Sequence, residues 1–139
     1  MSATRSIQID LGAPELPRLA VAVEEMAETE GWMPDLAFQI QLALDEIGDN
    51  LVEHRAQAQS TYMAVILNSQ DQAVTIEVVD DGIAFDPTTD APAADVTSAL
   101  EDRPIGGLGL HLIRALMDKV DYRREDGRNI LTLVKHRTP

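Results

Sequence analysis

Three stretches of this chain carry residue types that could do chemistry together. The first is Asp45-Glu46-Ile47-Gly48-Asp49-Asn50-Leu51-Val52-Glu53-His54. Glu46, Asn50 and His54 recur every four residues, so on a helix they share one face. A carboxylate, an amide and an imidazole so placed could hold a metal ion or take up a proton; a solvated acidic helix face is the plainer alternative. The His-Glu-x-x-His spacing of zinc proteases is absent. Gly48 sits inside this helix at a cost of about 1 kcal/mol relative to Ala, and close approach of another group would explain it.

The second stretch is Asp80-Asp81-Gly82-Ile83-Ala84-Phe85-Asp86-Pro87, which follows the β-branched pair Val78-Val79. A carboxylate at a strand end can accept a hydrogen bond from an exocyclic amine such as adenine N6. Guanine offers a carbonyl there, which a carboxylate repels. Gly82 removes the side chain that would block a flat base, although Asp-Gly also marks ordinary turns. The third stretch is Arg103-Pro104-Ile105-Gly106-Gly107-Leu108-Gly109-Leu110. Glycines ahead of a helix free backbone N–H groups for phosphate oxygens, the helix dipole favours an anion, and Arg103 could add charge. The same residues also suit a merely flexible helix entry. They form neither a Walker loop nor a dinucleotide fingerprint.

Singly these patterns are weak, but their order and spacing resemble the GHKL ATPase superfamily of histidine kinases, gyrase-type ATPases and anti-sigma serine kinases. Glu46-x-x-x-Asn50-x-x-x-His54 resembles its asparagine box. Asp80-x-Gly82 with Phe85-Asp86-Pro87 resembles its first glycine box, and Gly107-x-Gly109 its second. The closing run Leu112 to Val120 and the hairpin after it resemble the RsbW-type anti-sigma factor kinases. Two departures stand out. Ala84 replaces a second glycine found in many relatives, and Arg103 lies further upstream of Gly107 than the usual lid arginine.

The resemblance implies an ATP site built from Asn50, Asp80, Gly82, Phe85, Arg103, Gly106, Gly107, Leu108 and Gly109. It implies that Asn50 ligates Mg²⁺, that Asp80 selects adenine, and that Glu46 is the general base for an incoming hydroxyl. That hydroxyl would belong to a serine or threonine of a STAS-domain anti-sigma factor antagonist, and the same chain would alternately sequester a sigma factor. Relatives often form homodimers. Two other readings remain open: a nucleotide-dependent binding module without useful kinase activity, and a catalytic fragment of a histidine kinase. His54 is read as structural, and no dimerisation helix with a phosphorylatable histidine is expected ahead of the domain.

The elements that must position these residues are legible in the hydrophobic pattern. Ser6 to Leu11 alternates as a strand. Pro14 and Pro17 open a helix that carries Leu16, Leu19, Val23 and Met26 and stops at Gly31. A second helix starts near Pro34 and runs to about Arg55 on the stripe Leu36, Ile40, Leu44, Ile47 and Leu51. Thr61 to Leu67 and Val74 to Val79 form a hairpin, and a helix runs from Leu110 to about Met117. Val120 to Arg124 and Asn129 to Val134 form a last hairpin about Asp126-Gly127. The pattern predicts a two-layer α/β (α+β) sandwich, with a mixed, largely antiparallel sheet covered by helices on one face. It is read as one domain over 1–139, with an ATP lid at 83–106.

Composition narrows the class. The chain has 139 residues, no cysteine, 24 Asp and Glu against 11 Lys and Arg, and a net charge of −13. The charge disfavours nucleic acid, which is itself a dense polyanion. Lack of cysteine excludes a disulfide scaffold and thiolate chemistry. With neither a signal-peptide run nor a membrane span, the chain reads as cytoplasmic.

Overall fold

The computed structural model describes residues 2–85 and 107–137, of which 107–110 by backbone alone. In chain order the elements are β1 (Ala3–Asp10), α1 (Pro17–Glu30), α2 (Pro34–Glu53), the short α3 (Arg55–Ala58), β2 (Tyr62–Ser69), β3 (Ala73–Asp80), α4 (Gly107–Leu116), β4 (Lys119–Glu125) and β5 (Arg128–His136). The strands form one sheet in the order β1-β2-β3-β5-β4. Every pairing is antiparallel, so the mixed sheet allowed by the sequence narrows to an antiparallel one among the described residues. The reason is topological. β4 runs in the same direction as β3, but β5 is inserted between them, so no parallel pair is made.

Alternation along the strands makes one face of the sheet the core. Met63, Val65 and Leu67 of β2 and Val74, Ile76 and Val78 of β3 are buried. Register places Val65 opposite Val78 and Leu67 opposite Ile76, and Ile76 in turn opposite Leu133 of β5. Side chains two residues apart share a face, so these form one apolar surface. Leu19, Val23 and Met26 of α1, Ile40, Leu44 and Ile47 of α2 and Ile113 of α4 cover it in one continuous cluster. Burial of each such side chain stabilises the fold by about 1.5–3 kcal/mol.

The helix ends follow local chemistry. Pro17 and Pro34 occupy first-turn positions, where a missing N–H costs nothing. Gly31 closes α1 in the left-handed region at φ 66°. α2 ends two residues earlier than the pattern predicts. His54 breaks it, α3 follows as a single extra turn, and Gln59 closes that turn at φ 60°. The Asp126-Gly127 turn has φ of 52° and 76°, the two positive values that a type I′ hairpin needs. Gly48 has the predicted close neighbour: a Cβ there would stand 2.7 Å from Leu16 Cδ2 and 3.6 Å from Leu19 Cδ1. No helix among the described residues is long and apolar enough to cross a membrane.

A buried side-chain bond ties the α1–α2 connection to the sheet. The buried Trp32 indole Nε1–H donates to Ser69 Oγ at 2.9 Å. Ser69→Ala would leave that donor unpaired in the core, so unfolding in urea is expected to show a loss of about 1–3 kcal/mol. An unchanged urea midpoint would mean that the bond contributes no net stability.

Candidate functional site

The end of α2, the end of β3 and the opening of β5 converge on one cavity of about 240 Å³. Ile47, Asn50 and Leu51 line it from α2, His54 from the residue that ends α2, and Ala58 and Ser60 from the segment after it. Val78 and Asp80 come from β3, Ile83 and Phe85 from the chain beyond, Ile113 from α4, Tyr122 from β4, and Asn129 and Leu131 from β5. The walls are mainly apolar, with a few convergent polar groups. That is the usual composition of a small-molecule site.

Asp80 is its partly buried carboxylate. Asp80 Oδ1 accepts the Gly82 N–H at 2.9 Å and Asn129 Nδ2 at 3.0 Å. Burial pushes the Asp80 carboxyl above its ordinary range. The bonds from Asn129 and Gly82 oppose that, neighbouring Asp81 adds to it, and Arg124 opposes it. Asp81 has a different task. Its slight burial would raise it, but the Thr61 hydroxyl and N–H and the Tyr62 N–H hold it below the usual range. It accepts the Thr61 N–H at 2.7 Å and the Tyr62 N–H at 3.2 Å, pinning the start of β2 to the end of β3. Two adjacent carboxylates are thus divided between the cavity and the scaffold.

Gly82 is buried beside this group. A Cβ there would collide with the Ser60 hydroxyl and stand 3.0 Å from both Ala58 O and Asp80 Oδ1. The same backbone is held further by the Ile83 N–H, which donates to Ala58 O at 2.8 Å. His54 serves two ends: its N–H bonds Asn50 O at 3.0 Å as α2 closes, and its side chain lines the cavity.

The predicted site residues are therefore brought together in part. Asn50, Asp80 and Phe85 line the cavity and Gly82 abuts it. Glu46 lies one helical turn before Asn50, half-buried and outside the cavity lining. α4 begins at Gly107, one turn before the predicted Leu110, so Gly107, Leu108 and Gly109 form its first turn. First-turn N–H groups lack intrahelical partners, so they remain available to an anion. Arg103, Gly106, Asp86, Pro87 and most of the predicted lid 83–106 lie outside the described residues.

Sequence reasoning missed Ser60, Tyr122, Arg124 and Asn129. Only the β3–β5 pairing places Asn129 directly opposite Asp80. The Asp126-Gly127 turn sets Arg124 beside Asn129 within the hairpin, but nothing local says which strand the hairpin joins. Among the described residues no three His, Asp or Glu side chains gather as a metal cluster.

The fold and the motif order define the class of protein: the chain belongs to the histidine kinase-like ATPase domain family, whose model matches residues 12–135. Over 139 residues it is 30% identical to the serine/threonine-protein kinase BtrW of Bordetella bronchiseptica, covering 99% of this chain and 97% of that one. It is 27% identical over 109 residues to the serine-protein kinase RsbW of Bacillus cereus, covering 76% of this chain and 68% of that one. A Bacillus anthracis RsbW matches at the same identity and coverage.

The crowding at Gly82 yields a test. Gly82→Ala must displace Ser60 or the Asp80 carboxylate, at an expected cost of about 1–3 kcal/mol in denaturant unfolding. Wild-type stability in that variant would mean that the contacts around Gly82 are slack.

Proposed function

We propose that this chain is an ATP-dependent protein-serine/threonine kinase of a partner-switching system. The observation that carries the reading is that Asn50 and Asp80, from separate motifs, line one apolar cavity. A flat base suits those walls. Asp80 would accept the adenine 6-amino N–H, a match that guanine lacks. The N–H groups of the first turn of α4, with Gly106 before it and Arg103, would receive the phosphates.

The donor set suits Mg²⁺ carried by a nucleotide. Mg²⁺ keeps several waters and binds mainly through phosphate oxygens, so the Asn50 amide oxygen suffices as the protein ligand. When bound, the ion neutralises charge that builds up on the β- and γ-phosphates. Glu46 would take the proton from a serine or threonine hydroxyl of the substrate protein. The freed oxygen bonds the γ-phosphorus, the bond from phosphorus to the β-γ bridging oxygen breaks, and ADP leaves with that oxygen.

The names of the related kinases support a protein substrate. A STAS-domain antagonist is the substrate we infer, with a sigma factor or another regulated protein as the alternate partner. Phosphorylation would add charge to the antagonist's contact surface and release it. We further infer a cytoplasmic homodimer. A second reading is a nucleotide-dependent binding module. The position of Glu46 outside the cavity lining favours it, as does Ala84 at the lid entry.

Two measurements decide. In the first, Glu46→Gln should slow phosphate transfer to a serine-bearing STAS partner by about 10²–10⁴-fold while ATP affinity holds within about twofold. Transfer at the wild-type rate would favour the binding module, and no ATP binding by wild-type protein would remove both readings.

The second is pH dependence. Only ionised Asp80 accepts at both oxygens, and its carboxyl titrates above the ordinary range. ATP affinity should therefore fall as pH drops through that raised value, earlier than for a free carboxylate. Stability of the empty protein moves the other way. The contribution of Asp80 is fully present below the unfolded carboxyl value and is lost as pH rises through the folded one. Asp80→Asn should abolish both trends; ATP binding that keeps its acid limb in that variant would exclude Asp80 as the base acceptor.

A further inference from the structure

The most heavily bonded side chain of the cavity belongs to none of the recognised motifs. Asn129 is buried at 8% exposure and stands second in β5. Its Nδ2 faces three oxygens: Asp80 Oδ1 at 3.0 Å, Ile83 O at 2.8 Å and, more distantly, Gly82 O at 3.5 Å. Its Oδ1 faces three donors: the Tyr122 hydroxyl at 2.6 Å, Arg124 Nη1 at 3.1 Å and the Phe85 N–H at 3.2 Å. Arg124 Nη1 also donates to Gly82 O at 2.7 Å. A flipped amide would set oxygen against three oxygens and an NH₂ group against the Arg124 and Phe85 donors, so this network allows one orientation.

We propose that Asn129 is the positioning residue of the base site, and that its amide, oriented by Tyr122, Arg124 and the Phe85 N–H, decides which purine Asp80 accepts. The inference rests on the proposed adenine-nucleotide reading of the cavity and goes beyond it. Asp80 Oδ1 is occupied by Asn129 and the Gly82 N–H, which leaves Oδ2 as the acceptor for a ligand. A carboxylate fixed at one oxygen cannot rotate to suit another base edge. Fully bonded buried networks rigidify a site in this way. The carbonyls of Gly82 and Ile83 are held by the same amide, so the chain leaving β3 is set against the base site by one side chain.

Purine riboside 5′-triphosphate, which is ATP without the 6-amino group, separates positioning from mere support. Calorimetric titration of wild type should show a preference of about tenfold for ATP over this analogue, the worth of one good hydrogen bond. In Asn129→Leu, ATP affinity should fall about tenfold and the analogue's much less, so the preference collapses towards one. The pH midpoint of ATP binding should also move up, because one bond favouring ionised Asp80 is gone. Asp80 is faced by Asp81 from its own strand end, Arg124 from β4 and Asn129 from β5, and His54 shares the cavity. Of these, the substitution removes only the amide.

Tyr122→Phe removes a single hydroxyl from the far end of the network. It should lower the preference by about two- to threefold, with folding retained. Equal weakening of both nucleotides in Asn129→Leu, or no weakening, would overturn the proposal. Should Asn129→Leu not fold, an unchanged ATP preference in Tyr122→Phe would overturn it alone. Failure of wild-type protein to bind ATP would sink the nucleotide reading itself, an outcome distinct from equal losses.

Discussion

A carboxylate taken out of water must find donors or lose its charge, and the architecture around Asp80 answers that constraint. Desolvation raises its pKa, and an isolated buried charge would be prohibitively costly. Two donors reach one of its oxygens, one from its own turn at Gly82 and one from Asn129 across the sheet. The turn can be supplied locally, because Gly82 carries no Cβ to crowd the Asp80 carboxylate that its N–H reaches. The amide cannot. It depends on β5 lying beside β3 in the register that pairs Asp80 with Asn129.

That register is fixed by the core. Ile76 faces Leu133 four places deeper in the ladder, and both are fully buried. A slip of one residue would turn Leu133 to the outer face and Asn129 away from Asp80. The apolar free energy that holds the sheet to the helices therefore also aligns the polar groups of the site. Insertion of β5 between β3 and β4 has a second consequence. Both strands of the last hairpin reach the cavity, Tyr122 and Leu131 as a cross-strand pair and Asn129 from the strand start. A hairpin at the sheet edge in the other order would keep its turn chemistry and lose this contact.

This division explains what was legible in the sequence. α2 and its Glu46-Asn50-His54 face follow from a period of four, and β2 and β3 from alternation. Both are local patterns, and both elements appear within a few residues of their predicted bounds. The Asp126-Gly127 turn was readable because the backbone conformation is encoded in two residue types. The start of α4 was misplaced by a turn because Gly107 and Gly109 weaken helix propensity, which tertiary context overrides. Asn129 was invisible for another reason. Its partners lie 49, 46 and 44 residues away at Asp80, Ile83 and Phe85, and no periodicity links residues across a strand insertion.

Charge sharpens the same point. Between Arg18 and Arg55 the chain carries nine Asp and Glu and no Lys or Arg, and the whole is at −13. A triphosphate approaching such a protein gains nothing from the long-range field, which repels it. Affinity for an anionic nucleotide must then come from short-range terms: the apolar walls, oriented N–H groups, a cation carried by the ligand itself and a base edge that matches a fixed acceptor. The directional terms among these depend on geometry held to within about 0.5 Å. The energetic demand of binding an anion to an acidic protein thus falls back on the rigidity of the base site, and so on the amide that holds Asp80 in place.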